Sequence, residues 1–220
     1  MKPWVTLATA IAPDGSRFEL QRHDDNYVIY ADGHDMMSSY SHGSEDAMMS
    51  LACPRPRADA CILIGGLGMG YTLAATLDLL PHRGSVVVSE IVPEVIEWNR
   101  GALGPLAGHP LDDPRTDIVV SDVADVIRDS NSRFDAVLLD VDNSVDSFTL
   151  AGNSWLYTPE GLAIAHRSLR PGGALAIWSV GTERTFERRL RKADFTASTY
   201  PVRGQNKRGG HYSVIVGRRH

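Results

Sequence analysis

The chain has 220 residues, 43% of them hydrophobic, and a formal net charge of −5. That length suits one α/β domain with a small extension and a full hydrophobic core, and the acidic balance argues against general nucleic-acid binding. No apolar run reaches the length of a membrane span, and the first residues lack the cationic start and apolar stretch of a secretion signal. The two cysteines, Cys53 and Cys61, have neither zinc nor redox spacing, so a cytoplasmic protein without a metal site or membrane contact is expected.

Taken in order, residues 4–31 read as β-rich. Phe18–Gln21 and Tyr27–Tyr30 are short strands on either side of the polar turn His23-Asp24-Asp25-Asn26, and Asp32-Gly33 signals another turn. Ser44-Glu45 opens a helix that runs to Cys53 and is stopped by Pro54 and Pro56. The expected division is a small N-terminal β region with its linking helix over residues 1–57, then an α/β domain over 58–220.

From residue 60 the pattern alternates. Ile62–Ile64, Val86–Ser89, Asp117–Ser121, Ala136–Asp140 and Ala174–Trp178 are apolar runs of strand length. Thr72–Leu80, Val92–Arg100, Val123–Arg128 and Pro159–Leu169 have helical spacing, and Leu169-Arg170-Pro171-Gly172-Gly173 reads as a helix stop before a new strand. Ala193–Tyr200 and Tyr212–Val216 form a terminal hairpin around the loop Val202–Gly210. Alternation of this kind predicts a three-layer α/β/α, Rossmann-like fold on a mostly parallel seven-stranded sheet. Ligands of such sheets bind at the carboxyl ends of the strands, near the point where the strand order reverses.

Two groups of residues fall at that end. The first is the glycine turn in Ile64-Gly65-Gly66-Leu67-Gly68-Met69-Gly70-Tyr71, which joins an apolar strand to a helix. A dinucleotide fingerprint starting at Gly66 needs glycine at 71, where Tyr71 stands. The remaining G-x-G-x-G resembles the first motif of S-adenosylmethionine-dependent methyltransferases, although a tight connection also accounts for it. The second group is three acids that close successive strands: Glu90, Asp122 and Asp140. Glu90 is 20 residues beyond Gly70, a spacing at which an acid accepts both hydroxyls of a ribose. One such acid is ordinarily a solvated strand end. Three after a glycine loop favour a nucleoside pocket.

These motifs together resemble the spermidine synthases. Residues 64–70 resemble that family's I-G-G-G-D-G-G, and Glu90-Ile91-Val92-Pro93-Glu94-Val95-Ile96 its V-E-I-D-P-E-V-I. Ser121-Asp122 resembles its G-D element, and Phe134-Asp135-Ala136-Val137-Leu138-Leu139-Asp140 its F-D-V-I-I-x-D, whose last Asp is the catalytic base. Leu156-Tyr157-Thr158-Pro159-Glu160 and the later Arg170-Pro171-Gly172-Gly173 resemble its L-Y-T-x-E and K-P-G-G. The resemblance implies a methyltransferase-type fold and a cofactor site built from Gly65, Gly66, Gly68, Gly70, Glu90, Ile91, Asp122, Val123 and Asp140. Within it the glycines pass the tail of the donor, Glu90 takes the ribose, and Asp122 with the Val123 amide takes the adenine. Asp140 orients or deprotonates the acceptor, with Asp142 as a second catalytic candidate. It also implies a homodimer, with a small molecule as acceptor, an amine among the candidates.

The chain departs from the family where that family holds its amine substrate and its donor tail. Gly68 replaces an Asp, Met36 falls where a Gln is expected, Glu45-Asp46-Ala47 where Tyr-His-Glu is, Asn143 on the second Asp of D-x-x-D, and Leu162 on a Tyr. Transfer of an alkyl group, methyl foremost, from S-adenosylmethionine or a close derivative is therefore the leading expectation. The alternatives are aminopropyl transfer from decarboxylated S-adenosylmethionine and a non-catalytic domain that binds a nucleoside metabolite. The remaining features read blandly. His34 and His42 are surface or partly buried polar residues, Trp155 and Tyr157 are packing, Met48-Met49 is a core helix face, and Lys207–His211 is a basic loop.

Overall fold

The structure, a computed structural model, describes residues 3–40, 46–139, 153–180, 184–203 and 211–220. Four strands open the chain: β1 (Val5–Ile11), β2 (Arg17–His23), β3 (Asn26–Ala31) and β4 (His34–Ser38), paired antiparallel in sequence order. Helix α1 (Asp46–Ala52) leads to β5 (Cys61–Gly65), α2 (Tyr71–Leu79), β6 (Ser85–Glu90), α3 (Pro93–Arg100), β7 (Thr116–Val120), α4 (Val123–Arg128) and β8 (Phe134–Leu139). After a short 3-10 turn at Asn153–Tyr157 come α5 (Pro159–Ser168), β9 (Leu169–Val180), α6 (Arg184–Lys192) and the hairpin β10 (Phe195–Arg203) and β11 (His211–Arg219).

The second sheet has seven strands in the order β10-β11-β9-β8-β5-β6-β7. Strands β5 to β9 run parallel, and the hairpin adds antiparallel to β9. Period-two alternation divides its residues between two cores. Ile62, Ile64, Val86, Val88, Ala136 and Leu138 face one cluster, together with Met48 and Met49 of α1, Leu73 and Leu77 of α2, and Phe18, Leu20 and Ile29 of the first sheet. Leu63, Val87, Val137 and Leu139 face the other, with Ile127 of α4, Leu162 of α5 and Phe186 and Leu190 of α6. The small sheet thus shares a core with the large one. The order reverses at β5, which has β6 on one side and β8 on the other, with Gly65 in register with Leu139. This is the crevice in which an α/β sheet binds its ligand.

Three local features differ from expectation. Strand β4 and helix α6 carry weak patterns: α6 reads RTFERRLRK, and of its described side chains Phe186 and Leu190 are buried. The stretch 169–173 belongs to β9 rather than to a turn. A register shift between Phe134 and Ala136 absorbs it, with Gly172 at φ 79°. Among the described residues no helix is long and apolar enough to cross a membrane.

Candidate functional site

The loop between β5 and α2 is held by hydrogen bonds from three sides. Gly66 N–H donates to the Ser89 carbonyl at 2.9 Å, and Ser89 Oγ donates to the Ser121 carbonyl at 2.8 Å, so the ends of β5, β6 and β7 are tied in a row. Glu90 lies at the centre of that row and is 7% exposed. Its Oε2 accepts the Leu67 N–H and its Oε1 the Val92 N–H, each at 2.8 Å. One carboxylate therefore fixes both the glycine loop and the entry to α3. Burial pushes its pKa up, while the amides of Leu67, Val92 and Ile91 pull it back. Three amides leave the carboxylate roughly one of its four acceptor sites, which a ribose hydroxyl fits.

Asp122 stands one strand further along as the N-cap of α4, its Oδ1 accepting the Ala124 N–H at 2.8 Å. Val123 behind it is buried. Gly65 is buried beneath it too: a Cβ there would lie 2.9 Å from Val123 Cγ2 and 3.1 Å from Leu139 Cδ2. That close approach lets α4 sit against the end of β5. Ile91 is half-buried and packs on the first core. The structure thus brings Gly65, Gly66, Gly68, Gly70, Glu90, Ile91, Asp122 and Val123 to one end of the sheet. Asp140 and Asp142 lie outside the described residues, and Asp140 follows directly in sequence on Leu139, the last described residue of β8.

Two contributors have no signal in their own segments. Asn99 of α3 donates through Nδ2 to the Gly68 carbonyl at 2.8 Å and to the Val95 carbonyl at 2.9 Å. Its Oδ1 is buried and has no hydrogen-bond partner among the described residues. Met37 of β4 reaches over from the small sheet. The Met69 N–H donates to its Sδ at 3.2 Å, and a Cβ on Gly68 would sit 2.9 Å from its Sδ and Cε. Gly68 is at φ 53°, so both conformation and space favour glycine there. A register irregularity in the β3–β4 pairing, where Ile29 faces Met37 and Tyr30 faces Asp35, leaves both Met36 and Met37 packed on the shared core.

Neighbouring aromatics serve the packing. Tyr157 meets Phe186 edge-on at 5.5 Å, and burial pushes its hydroxyl up to about 12. The Arg128 guanidinium lies 3.9 Å over Trp155. Among the described residues no three His, Cys, Asp or Glu side chains gather as a metal site does.

No protein-family model matches the chain. It is 31% identical to polyamine aminopropyltransferase 2 of Pseudomonas aeruginosa over 116 residues, which are 53% of this chain and 32% of that protein. It is 33% identical to the polyamine aminopropyltransferase of Mycobacterium tuberculosis over 147 residues, 62% of this chain and 27% of that one. The chain therefore spans a third or less of the length of these relatives. In structure it matches the spermidine synthase from Thermotoga maritima with a TM-score of 0.77 at 20% identity, covering 98% of this chain and 73% of that one. A spermidine synthase in complex with the transition-state analogue AdoDATO matches at 0.74 and 21%, covering 98% and 72%. The chain is spermidine-synthase-like, with the Rossmann-like fold of that group. The leading expectation, methyl transfer, is corrected by these relatives: their names specify aminopropyl transfer, the reading held as the alternative.

Proposed function

We propose that the chain is an aminopropyltransferase that takes its donor from decarboxylated S-adenosylmethionine and passes the aminopropyl group to an amine. The observation that carries this reading is Glu90, a buried acid at the switch-point end of the sheet that grips the glycine loop and keeps acceptor capacity for a ribose. The similarity to polyamine aminopropyltransferases supports the choice of transferred group. Asp122 and the Val123 amide hold the adenine, and the glycines pass the tail.

In the transfer a neutral amine nitrogen attacks the carbon next to the sulfonium. The N–C bond forms as the C–S bond breaks, and its electron pair stays on sulfur, leaving the neutral thioether methylthioadenosine. The nitrogen must shed a proton, and Asp140 is the proposed acceptor, with Asp142 beside it in sequence. Alignment of nitrogen, carbon and sulfur supplies most of the rate, because the sulfonium carries its own leaving group. The proposal includes a cytoplasmic setting, which the free thiols of Cys53 and Cys61 fit. It also includes a homodimer, which the exposed apolar Val5, Leu7 and Ile11 on the edge strand β1 support.

The test supplies the purified chain with decarboxylated S-adenosylmethionine and a panel of diamines, and follows methylthioadenosine release. Amine-dependent release that Asp140→Asn abolishes, with nucleoside binding kept, supports the reading. Nucleoside binding without transfer to any amine overturns it in favour of a non-catalytic metabolite-binding domain.

A further inference from the structure

The backbone donors of the glycine loop are almost all taken up inside the protein. Gly66 N–H goes to the Ser89 carbonyl, Leu67 N–H to Glu90, Met69 N–H to Met37 Sδ and Gly70 N–H to the Leu67 carbonyl. A loop that binds an anion at a helix N-terminus presents free N–H groups to it. This one presents a thioether. Methionine sulfur is a weak acceptor and carries no charge, and Met37 also fills the space above Gly68. A carboxylate arriving here has to displace Met37 from the Met69 amide, or lose part of its water beside an apolar methyl and sulfur. A donor lacking the carboxylate meets no such obstacle.

We infer that Met37 is a specificity-determining residue: its thioether, seated on Gly68 and bonded to the Met69 N–H, makes the site discriminate against nucleoside sulfonium donors that carry an α-carboxylate. This rests on the proposed aminopropyltransferase reading, in which the donor tail runs along the loop. Met37 comes from β4 in the small sheet, so donor choice at the large sheet is made by a residue of the other one. The position is separate from Met36, where the family resemblance places its Gln, and its effect is steric and electrostatic rather than catalytic.

Calorimetry on the full chain tests it with three ligands: methylthioadenosine, decarboxylated S-adenosylmethionine and S-adenosylmethionine. The wild type is expected to bind the decarboxylated form about tenfold or more tighter than the carboxylated one. Met37→Ala should shrink that ratio to about twofold by improving the carboxylated form, and leave methylthioadenosine within about twofold of wild type. Met37→Leu keeps the bulk and frees the Met69 amide, so the ratio should fall part of the way; it also stands in for the alanine variant if that variant folds poorly. A ratio unchanged in both variants, with methylthioadenosine still bound, overturns the role of Met37 and leaves the proposed function standing. Failure of the wild type to bind methylthioadenosine overturns both.

Discussion

Two acids are buried equally deeply at opposite ends of the large sheet, and they are treated differently. Asp135, at the start of β8, is 8% exposed and Glu90, at the end of β6, is 7% exposed. Asp135 Oδ2 accepts the Cys61 N–H at 2.9 Å and the Arg170 guanidinium at 2.6 Å, and Arg57 stands 4.0 Å from Oδ1. Its charge is neutralised by cations, and it fastens β5, β8 and β9 together. Glu90 receives backbone amides alone, and among the described residues no cation offsets its charge. A buried acid paired with arginine is a structural fastening. A buried acid with no counter-charge is held ready, at a cost in stability, for something else.

The largest expected effect is on ligand binding. Glu90→Gln cannot accept at both oxygen positions, so methylthioadenosine affinity should fall about a hundredfold, about 2.7 kcal/mol, in keeping with lost hydrogen bonds to a charged group. Calorimetry reads this, and wild-type affinity in the variant would erase the distinction between the two acids. Asp135→Asn should do the opposite. It weakens the bond to Arg170 and should lower unfolding stability in urea by about 2 kcal/mol, while nucleoside affinity stays within about twofold.

Acidity gives a separate test of Glu90. Burial raises the folded-state pKa of Glu90 above the ordinary 4.5. The folded chain thus holds a proton that the unfolded chain has released, and ionising Glu90 costs stability. That cost is absent below pH 4.5 and complete above the raised folded value. Wild-type stability minus that of Glu90→Gln should therefore fall as pH rises through this window. Nucleoside affinity should rise through the same window, because the ionised carboxylate is the stronger acceptor. A flat difference curve would show that Glu90 ionises as it does in the unfolded chain.

The smallest effect compares two helix caps. Asp122 caps α4 after β7, and Thr158 caps α5 before β9, accepting the Gly161 N–H at 3.1 Å. Alanine at either position should cost about 1 kcal/mol in urea unfolding. Only Asp122→Ala should also weaken methylthioadenosine binding, by about fivefold. Equal binding losses in the two would mean that Asp122 acts through the helix and not on the ligand.

Much of this site could be read from local pattern. The apolar run of β5, the glycines and the helical spacing of α2 are contiguous, and the 20 residues from Gly70 to Glu90 are one helix and one strand long. Helix α6 escaped because its two buried residues are surrounded by charge, and 169–173 escaped because a register shift, which depends on the partner strand, absorbs a turn-like sequence.

The sequence by itself determined the alternation of elements, the parallel sheet and the place of Glu90 at the end of β6, because periodicity and turn chemistry act over a few residues. Tertiary structure alone decided what lies on the loop. Met37 meets Met69 across 32 residues and Asn99 meets Gly68 across 31. Both contacts depend on packing between elements, the first on how the small sheet docks against the large one, and no spacing along the chain encodes that. The same holds for the two acids: Asp135 and Glu90 look alike in sequence, and the arrival of Arg170 from β9 makes one a fastening, while among the described residues no cation reaches the other.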